Sequence, residues 1–178
     1  KYFFCLSNLK PHKNIKTLLA AHALYYSGAI KSGNQTPWRL ALNFRSGETA
    51  PREGLKLLGR PTDPETRALM AGAGAVVFPS LYEGFGLPPV EAACLGIPVV
   101  VSDIPPHREG LVDLEAHEVS WVDGLDQSRA WCEAMSNAAQ GRIHGASAES
   151  RAKLRNRFES SKMGSVMDRL YRGVLGVK

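Results

Sequence analysis

Short apolar runs alternate with amphipathic ones along most of this chain, and that alternation limits the available folds more than any other feature. Tyr2–Leu6 (YFFCL) reads as a buried strand. Asn14 is placed to cap the helix that follows, where Ile15, Leu18, Leu19, His22, Ala23 and Tyr26 share one face and Gly28 supplies a stop signal. Trp38–Phe44 and Leu55–Leu58 read as strands two and three. Thr62-Asp63-Pro64-Glu65 opens a helix to about Ala71, with a capping residue and a proline in the first turn. Ala75–Phe78 and Pro98–Ser102 are further strands, separated by a helix from about Pro89 to Leu95 that Gly96 terminates. Val119–Val122 is a last strand. Helices are then expected from Asp126 to about Ala139, from Ser147 to about Arg157, and through Met163, Val166, Met167, Leu170, Tyr171 and Val174. A strand followed by a crossover helix, repeated, implies a parallel sheet. The expected fold is α/β, a Rossmann-like doubly wound parallel sheet with helices on both faces. One stretch breaks the rhythm: Asn43–Gly54 (NFRSGETAPREG) is polar and rich in turn formers where a crossover helix would be usual, and it reads as a loop.

Several function classes are excluded by what the chain lacks. The first strand is followed by Ser7-Asn8-Leu9-Lys10-Pro11, with no Gly-x-Gly-x-x-Gly for a dinucleotide. There is no P-loop, no Gly-x-Ser-x-Gly elbow, no second histidine to make His117-Glu118 a zincin motif, and no Asp-x-Asp pair to hold a divalent metal. The three cysteines, Cys5, Cys94 and Cys132, lie far apart and form no Cys-x-x-Cys pair, so a reducing cytoplasm is expected. No apolar run reaches the roughly 20 residues of a membrane span. The net charge of +5 suits a phosphate-bearing ligand, nucleic acid or an anionic surface alike.

The chemistry is concentrated in Pro79-Ser80-Leu81-Tyr82-Glu83-Gly84-Phe85-Gly86-Leu87-Pro88-Pro89-Val90-Glu91. A strand ends, a loop with two glycines follows, and a helix starts at paired prolines. Glycines let backbone approach a ligand, and N–H groups at a helix start form an anion site. Prolines there lose no hydrogen bond, because those first N–H groups have no partner within the helix. Glu83 and Glu91 would both border the crevice in which open α/β sheets bind ligands.

This stretch resembles the Glu-x7-Glu signature of the retaining nucleotide-sugar glycosyltransferases of family 4, which have the GT-B fold. Phe4–Asn14 (FCLSNLKPHKN) is similar to that family's first strand and lysine-bearing turn. Leu58-Gly59-Arg60 resembles its base-pocket Leu-Gly, and Gly96-Ile97-Pro98-Val99-Val100 its Gly-x-Pro-Val-Val strand. The resemblance runs from Lys1 to about Val122.

The resemblance implies a set of roles. Glu91 would accept hydrogen bonds from the ribose hydroxyls; its plainer explanation is a carboxylate favoured by the helix dipole. Glu83 would lie against the transferred sugar, holding a hydroxyl or stabilising positive charge at the reacting carbon. Gly84, Phe85, Gly86 and Leu87 would act through backbone N–H groups. Lys13 would neutralise the departing diphosphate. Asn8 stands where many members carry an arginine, so it could donate a hydrogen bond without supplying charge. Arg60 could stack on the base. His107-Arg108-Glu109 reads as structural, and the basic run from Arg151 to Arg157 as a solvated helix face.

The function implied is metal-free transfer of a hexose from a nucleoside-diphosphate sugar to an acceptor, with retention of configuration and with no cofactor. Residues 1–178 would form the C-terminal donor-binding domain, inactive alone, with the acceptor-binding N-terminal domain outside this chain. The implied partners are the nucleotide sugar and, through that other domain, a glycan or lipid-linked acceptor of polysaccharide biosynthesis. Nucleic acid is not among them. The setting would be the cytoplasm, with peripheral association of the full-length protein at the inner face of the membrane among the options. A non-catalytic nucleotide-sugar-binding module, and a sugar phosphorylase or epimerase of related architecture, are the alternatives.

Overall fold

Six parallel strands in the order β3-β2-β1-β4-β5-β6 form the centre of the computed structural model, which describes residues 1–34 and 36–159. The strands are β1 (Tyr2–Cys5), β2 (Arg39–Leu42), β3 (Leu55–Leu57), β4 (Ala75–Phe78), β5 (Val99–Ser102) and β6 (Val119–Val122). The helices are α1 (Ile15–Lys31), α2 (Asp63–Ala71), α3 (Leu87–Cys94), α4 (Pro105–Gly110), α5 (Ser128–Ala139) and α6 (Ala148–Arg157), and a 3₁₀ turn covers Pro11–Lys13. This is the expected doubly wound fold. The order reverses direction between β1 and β4, which opens a crevice at their carboxyl ends.

Successive residues of each strand face opposite layers, so a sheet covered on both sides needs strands apolar throughout. β1 shows this directly. Phe3 and Cys5 pack with Leu18, Tyr25, Trp131 and Met135 on the α1/α5 side, whereas Phe4 packs with Met70, Val90 and Leu154 on the α2/α3/α6 side. β4 and β5 are buried at every position. Burial of this kind stabilises by about 1.5–3 kcal/mol per large side chain. Burial also holds the Cys5 thiol up at about 12, against a weaker downward pull from Lys13, so it stays protonated and inert.

Four local expectations need correcting. Helix α1 runs through Gly28 to Lys31 and ends at Ser32, where Gly33 takes the left-handed conformation. A mid-helix glycine costs only about 1 kcal/mol, which the packing of α1 outweighs. Asn14 occupies the N-cap position with φ +52, but its amide donates to Leu125 O at 2.5 Å and makes no cap bond. Its side chain ties α1 to the segment before α5. Helix α5 is capped at Gln127, one residue past the expected Asp126. Helix α4 was not anticipated, although Pro105 and Pro106 at its first positions are a recognised start signal. Asn43–Gly54 is a loop between β2 and β3, as read. The helix expected over Met163–Val174 lies outside the described residues.

Candidate donor site at the sheet's switch point

Two loops meet at the crevice. After β1 the chain turns through the 3₁₀ segment and places Lys13 just ahead of α1; after β4 it turns through Glu83 into α3. The loops are joined by backbone, with Leu81 N–H donating to His12 O at 2.7 Å. Across that joint Lys13 Nζ stands 2.7 Å from Glu83 Oε1 and 2.8 Å from Oε2. The two side chains are 20% and 15% exposed, so the pair is only partly screened by water. Ser80, itself buried, donates its hydroxyl to Glu83 Oε1 at 2.7 Å. Burial opposes charge on Glu83, but the hydrogen bonds from Lys13 and Ser80, with the positive field of Lys13 and, only in acid where its ring is protonated, of His107, outweigh it. The carboxyl is held below its ordinary value.

The glycine turn supplies donors. Gly86 adopts φ +84 and caps α3, and the next residues include Pro88 and Pro89. Among the described residues, the N–H groups of Gly84, Phe85, Gly86 and Leu87 have no acceptor in the protein. Leu87 projects outward at 58% exposed. Phe85 packs edge-on against Phe158 at 5.4 Å between ring centroids, which anchors the turn on the segment after α6. Its side chain is structural and its backbone is free.

Glu91 lies on α3, which begins at Leu87 rather than near Pro89. It therefore sits in the helix's second turn, where the dipole effect has largely decayed. It is exposed and lines a cleft of about 520 Å³ between α2, α3 and α6, together with Arg67, Cys94 and Arg155. With the dipole explanation weakened, its carboxylate is available to a ligand's hydroxyls.

Two of the residues singled out in the sequence are placed less centrally. The Asn8 side-chain oxygen accepts from Lys10 N–H at 3.0 Å, which holds the turn leading to Lys13. Arg60 is largely exposed, 3.9 Å from Glu48, and borders a separate shallow cleft with Tyr2, Leu58 and Glu65. The structure thus brings Lys13, Glu83 and the glycine turn together, puts Glu91 on the adjoining helix, and leaves Arg60 apart. Sequence reasoning missed Ser80 and His107. Ser80 lies inside the motif, but nothing in its spacing marks it as a partner of Glu83. His107 is brought to the turn by packing from α4.

The doubly wound sheet thus carries a cation, a carboxylate and a turn of unpaired N–H groups at its switch point, the place where open α/β sheets bind ligands. Residues 1–156 match the family model described as glycosyl transferases group 1, and the chain belongs to that family. It is 30% identical over 142 residues to the O-antigen chain mannosyltransferase RfbU of Salmonella typhimurium, covering 78% of this chain and 38% of the relative. It is 36% identical over 110 residues to O-antigen chain mannosyltransferase B of Escherichia coli, covering 58% and 29%. Among solved structures, sucrose-phosphate synthase from Thermosynechococcus elongatus superposes with a TM-score of 0.74 at 18% identity, over 100% of this chain and 46% of that one. The pneumococcal O-GlcNAc transferase GtfA, solved with UDP and GlcNAc, gives 0.72 at 16%, over 98% and 36%. Identities this low speak of the fold alone, which is that of a GT-B glycosyltransferase domain. The chain spans 29% to 46% of the length of these proteins. Among the described residues, no helix is long and apolar enough to cross a membrane.

Proposed function

We propose that this chain is the donor-binding half of a retaining glycosyltransferase of family 4, transferring a hexose from a nucleoside-diphosphate sugar to a growing glycan or lipid-linked acceptor. The observation that carries the reading is the Lys13–Glu83 pair, set across the switch-point crevice beside a turn with four free backbone donors. The proposed sugar is mannose, after the two relatives named as mannosyltransferases. An acceptor-binding N-terminal domain would complete the cleft, and neither metal nor cofactor takes part.

Each group then has a defined task. The diphosphate lies over the N–H groups of Gly84–Leu87 at the start of α3, where the helix dipole favours anions. Lys13 leaves Glu83 for the phosphate oxygens. Glu83, still held by Ser80, turns its freed oxygen to the sugar hydroxyls, and Glu91 takes the ribose. Asn8 orders the turn that aims Lys13. In the reacting step the bond from the anomeric carbon to the diphosphate oxygen breaks, and the acceptor oxygen bonds to that carbon from the same face. The acceptor's proton passes to the departing diphosphate. Negative charge grows on the leaving group as this happens, so Lys13 stabilises the transition state more than the ground state.

The test is calorimetry of the chain with GDP-mannose, UDP-glucose, ADP-glucose and dTDP-glucose, with and without EDTA. One of them should bind, weakly and without added magnesium, because half the cleft lies elsewhere. No binding to any, or an absolute magnesium requirement, refutes the reading. Product analysis with the full-length protein separates transfer from the alternatives, since an epimerase needs no acceptor and a phosphorylase needs only phosphate.

A further inference from the structure

The imidazole of His107 has no part in the chemistry above, yet it is buried against the loop that performs it. Its Nδ1 lies 2.9 Å from Ser102 O. A carbonyl oxygen only accepts, so Nδ1 carries the ring proton. Burial lowers the ring's pKa, and the opposing pull of Ser102 and Glu83 does not reverse this, so the ring is neutral near pH 7. Nε2 is then a bare lone pair. It is buried, and nothing among the described residues donates to it.

An acceptor left so costs about 1–3 kcal/mol and calls for a reason. Its surroundings supply one. A Cβ built on Gly86 would lie 3.0 Å from His107 Cδ2 and 3.3 Å from Nε2, so the lone pair sits directly behind the left-handed residue of the donor turn. That turn carries the four N–H groups without an acceptor. An unpaired acceptor thus backs onto a row of unpaired donors. Gly84 has open space around its α-carbon and Gly86 already has positive φ, so the peptides between them can rotate at little cost.

We propose that His107 is a positioning residue for the donor loop, its Nε2 accepting one backbone N–H of the Gly84–Leu87 turn when a nucleotide sugar occupies the crevice. This rests on the donor-site reading given above. Docking one N–H on a rigid imidazole fixes the direction of the others, which then meet sugar and diphosphate in a single orientation. It also accounts for glycine at position 86, since any Cβ would fill the gap across which the bond forms.

Two measurements on this chain test the proposal. Long-range ¹H–¹⁵N spectra of the wild-type protein report Nε2 directly. Saturation with the sugar nucleotide that binds, GDP-mannose or UDP-glucose, should shift Nε2 toward the value of a hydrogen-bonded acceptor while Nδ1 stays protonated. The second measurement is calorimetry of variants. His107→Asn keeps an amide donor for Ser102 and deletes the Nε2 acceptor; it should weaken that ligand about 3- to 10-fold with little change in melting. His107→Gln carries its amide oxygen out to the Nε2 position and should restore at least half of the loss. An Nε2 resonance that does not move at saturation overturns the proposal, as does a glutamine variant no better than asparagine. If the wild-type chain binds none of the four sugar nucleotides, the donor-site reading has failed and this inference falls with it. Normal binding with a silent Nε2 sinks this inference alone.

Discussion

Replacing Glu83 by glutamine should make the chain bind a bare nucleoside diphosphate more tightly, although the proposed function gives Glu83 a place in the donor site. In the free protein both carboxylate oxygens hold Lys13 Nζ, at 2.7 and 2.8 Å, in a setting where the two side chains are only 20% and 15% exposed. A hydrogen bond to a charged group contributes about 1.5–3 kcal/mol. Freeing Lys13 for a diphosphate forfeits that, while water and the Ser80 hydroxyl return part of it to Glu83. A net cost on the order of 1–2 kcal/mol remains, a factor of about 5–30 in affinity. Glutamine removes the cost, keeps a partner for Ser80, and removes the repulsion between a carboxylate and the incoming phosphates. GDP and UDP should therefore bind Glu83→Gln about 5–30-fold more tightly by calorimetry, more so at low salt. The advantage of the sugar nucleotide over the bare diphosphate should shrink, because the carboxylate no longer reads the sugar. Acid should act in the same direction. The folded-state pKa of Glu83 lies below its ordinary 4.5, so the pair is complete above that value and is lost as pH falls through the depressed one. Equal or weaker diphosphate binding by Glu83→Gln would refute the idea that the two residues restrain each other.

Three other outcomes follow from the same geometry. In the full-length protein, Lys13→Ala should cut kcat by about 100-fold or more with a smaller change in donor KM, and steady-state kinetics within a factor of about three of wild type would sink the leaving-group role. Glu91→Gln should weaken donor binding by about 1–3 kcal/mol with melting nearly unchanged; a large drop in melting at constant affinity would restore the structural explanation. Glu118 is 1% exposed, and burial opposes its charge, but backbone N–H groups of Glu115 and Ser147 (3.0 and 2.6 Å) outweigh this and hold its carboxyl down at about 2. Its stabilising effect is present above the ordinary 4.5 and lost between there and about 2, so urea titrations of Glu118→Gln should show a deficit of about 1–3 kcal/mol at neutral pH that narrows in acid.

The sheet was legible because a doubly covered parallel strand must be apolar on both sides, and YFFC, AVVF and VVVS satisfy that in a way no surface strand does. What went astray was punctuation. Gly28 and Asn14 carry the residue types of a stop and a cap, but α1 packs along α5 through its last turns and the Asn14 amide is drawn to Leu125 in the segment before α5. Long-range packing decided where it ends and what Asn14 binds. Local propensities of about 1 kcal/mol do not withstand contacts of that size. Helix α4 shows the converse: Pro105 and Pro106 stand at its first positions, but with only six residues it has too short an apolar pattern to be seen in the sequence.

The site divides along the same line. Glu83, the two glycines and Glu91 lie within nine consecutive residues, so their spacing is visible in sequence. Lys13 became a candidate only through the motif at the end of β1, and the topology then explains its place: strands β1 and β4 are neighbours in the sheet and bring their following loops together, so that Lys13 meets Glu83, 70 residues further on. Ser80 and His107 carried no sequence signal for a related reason. A serine in a turn and a histidine after a strand are common, and their meaning comes from what faces them in space. For Ser80 that is the carboxylate it shares with Lys13; for His107 it is the missing side chain of Gly86. The glycine that was read as a concession to ligand approach is therefore under two demands at once. It must leave its backbone open toward the crevice and leave room for an imidazole behind it.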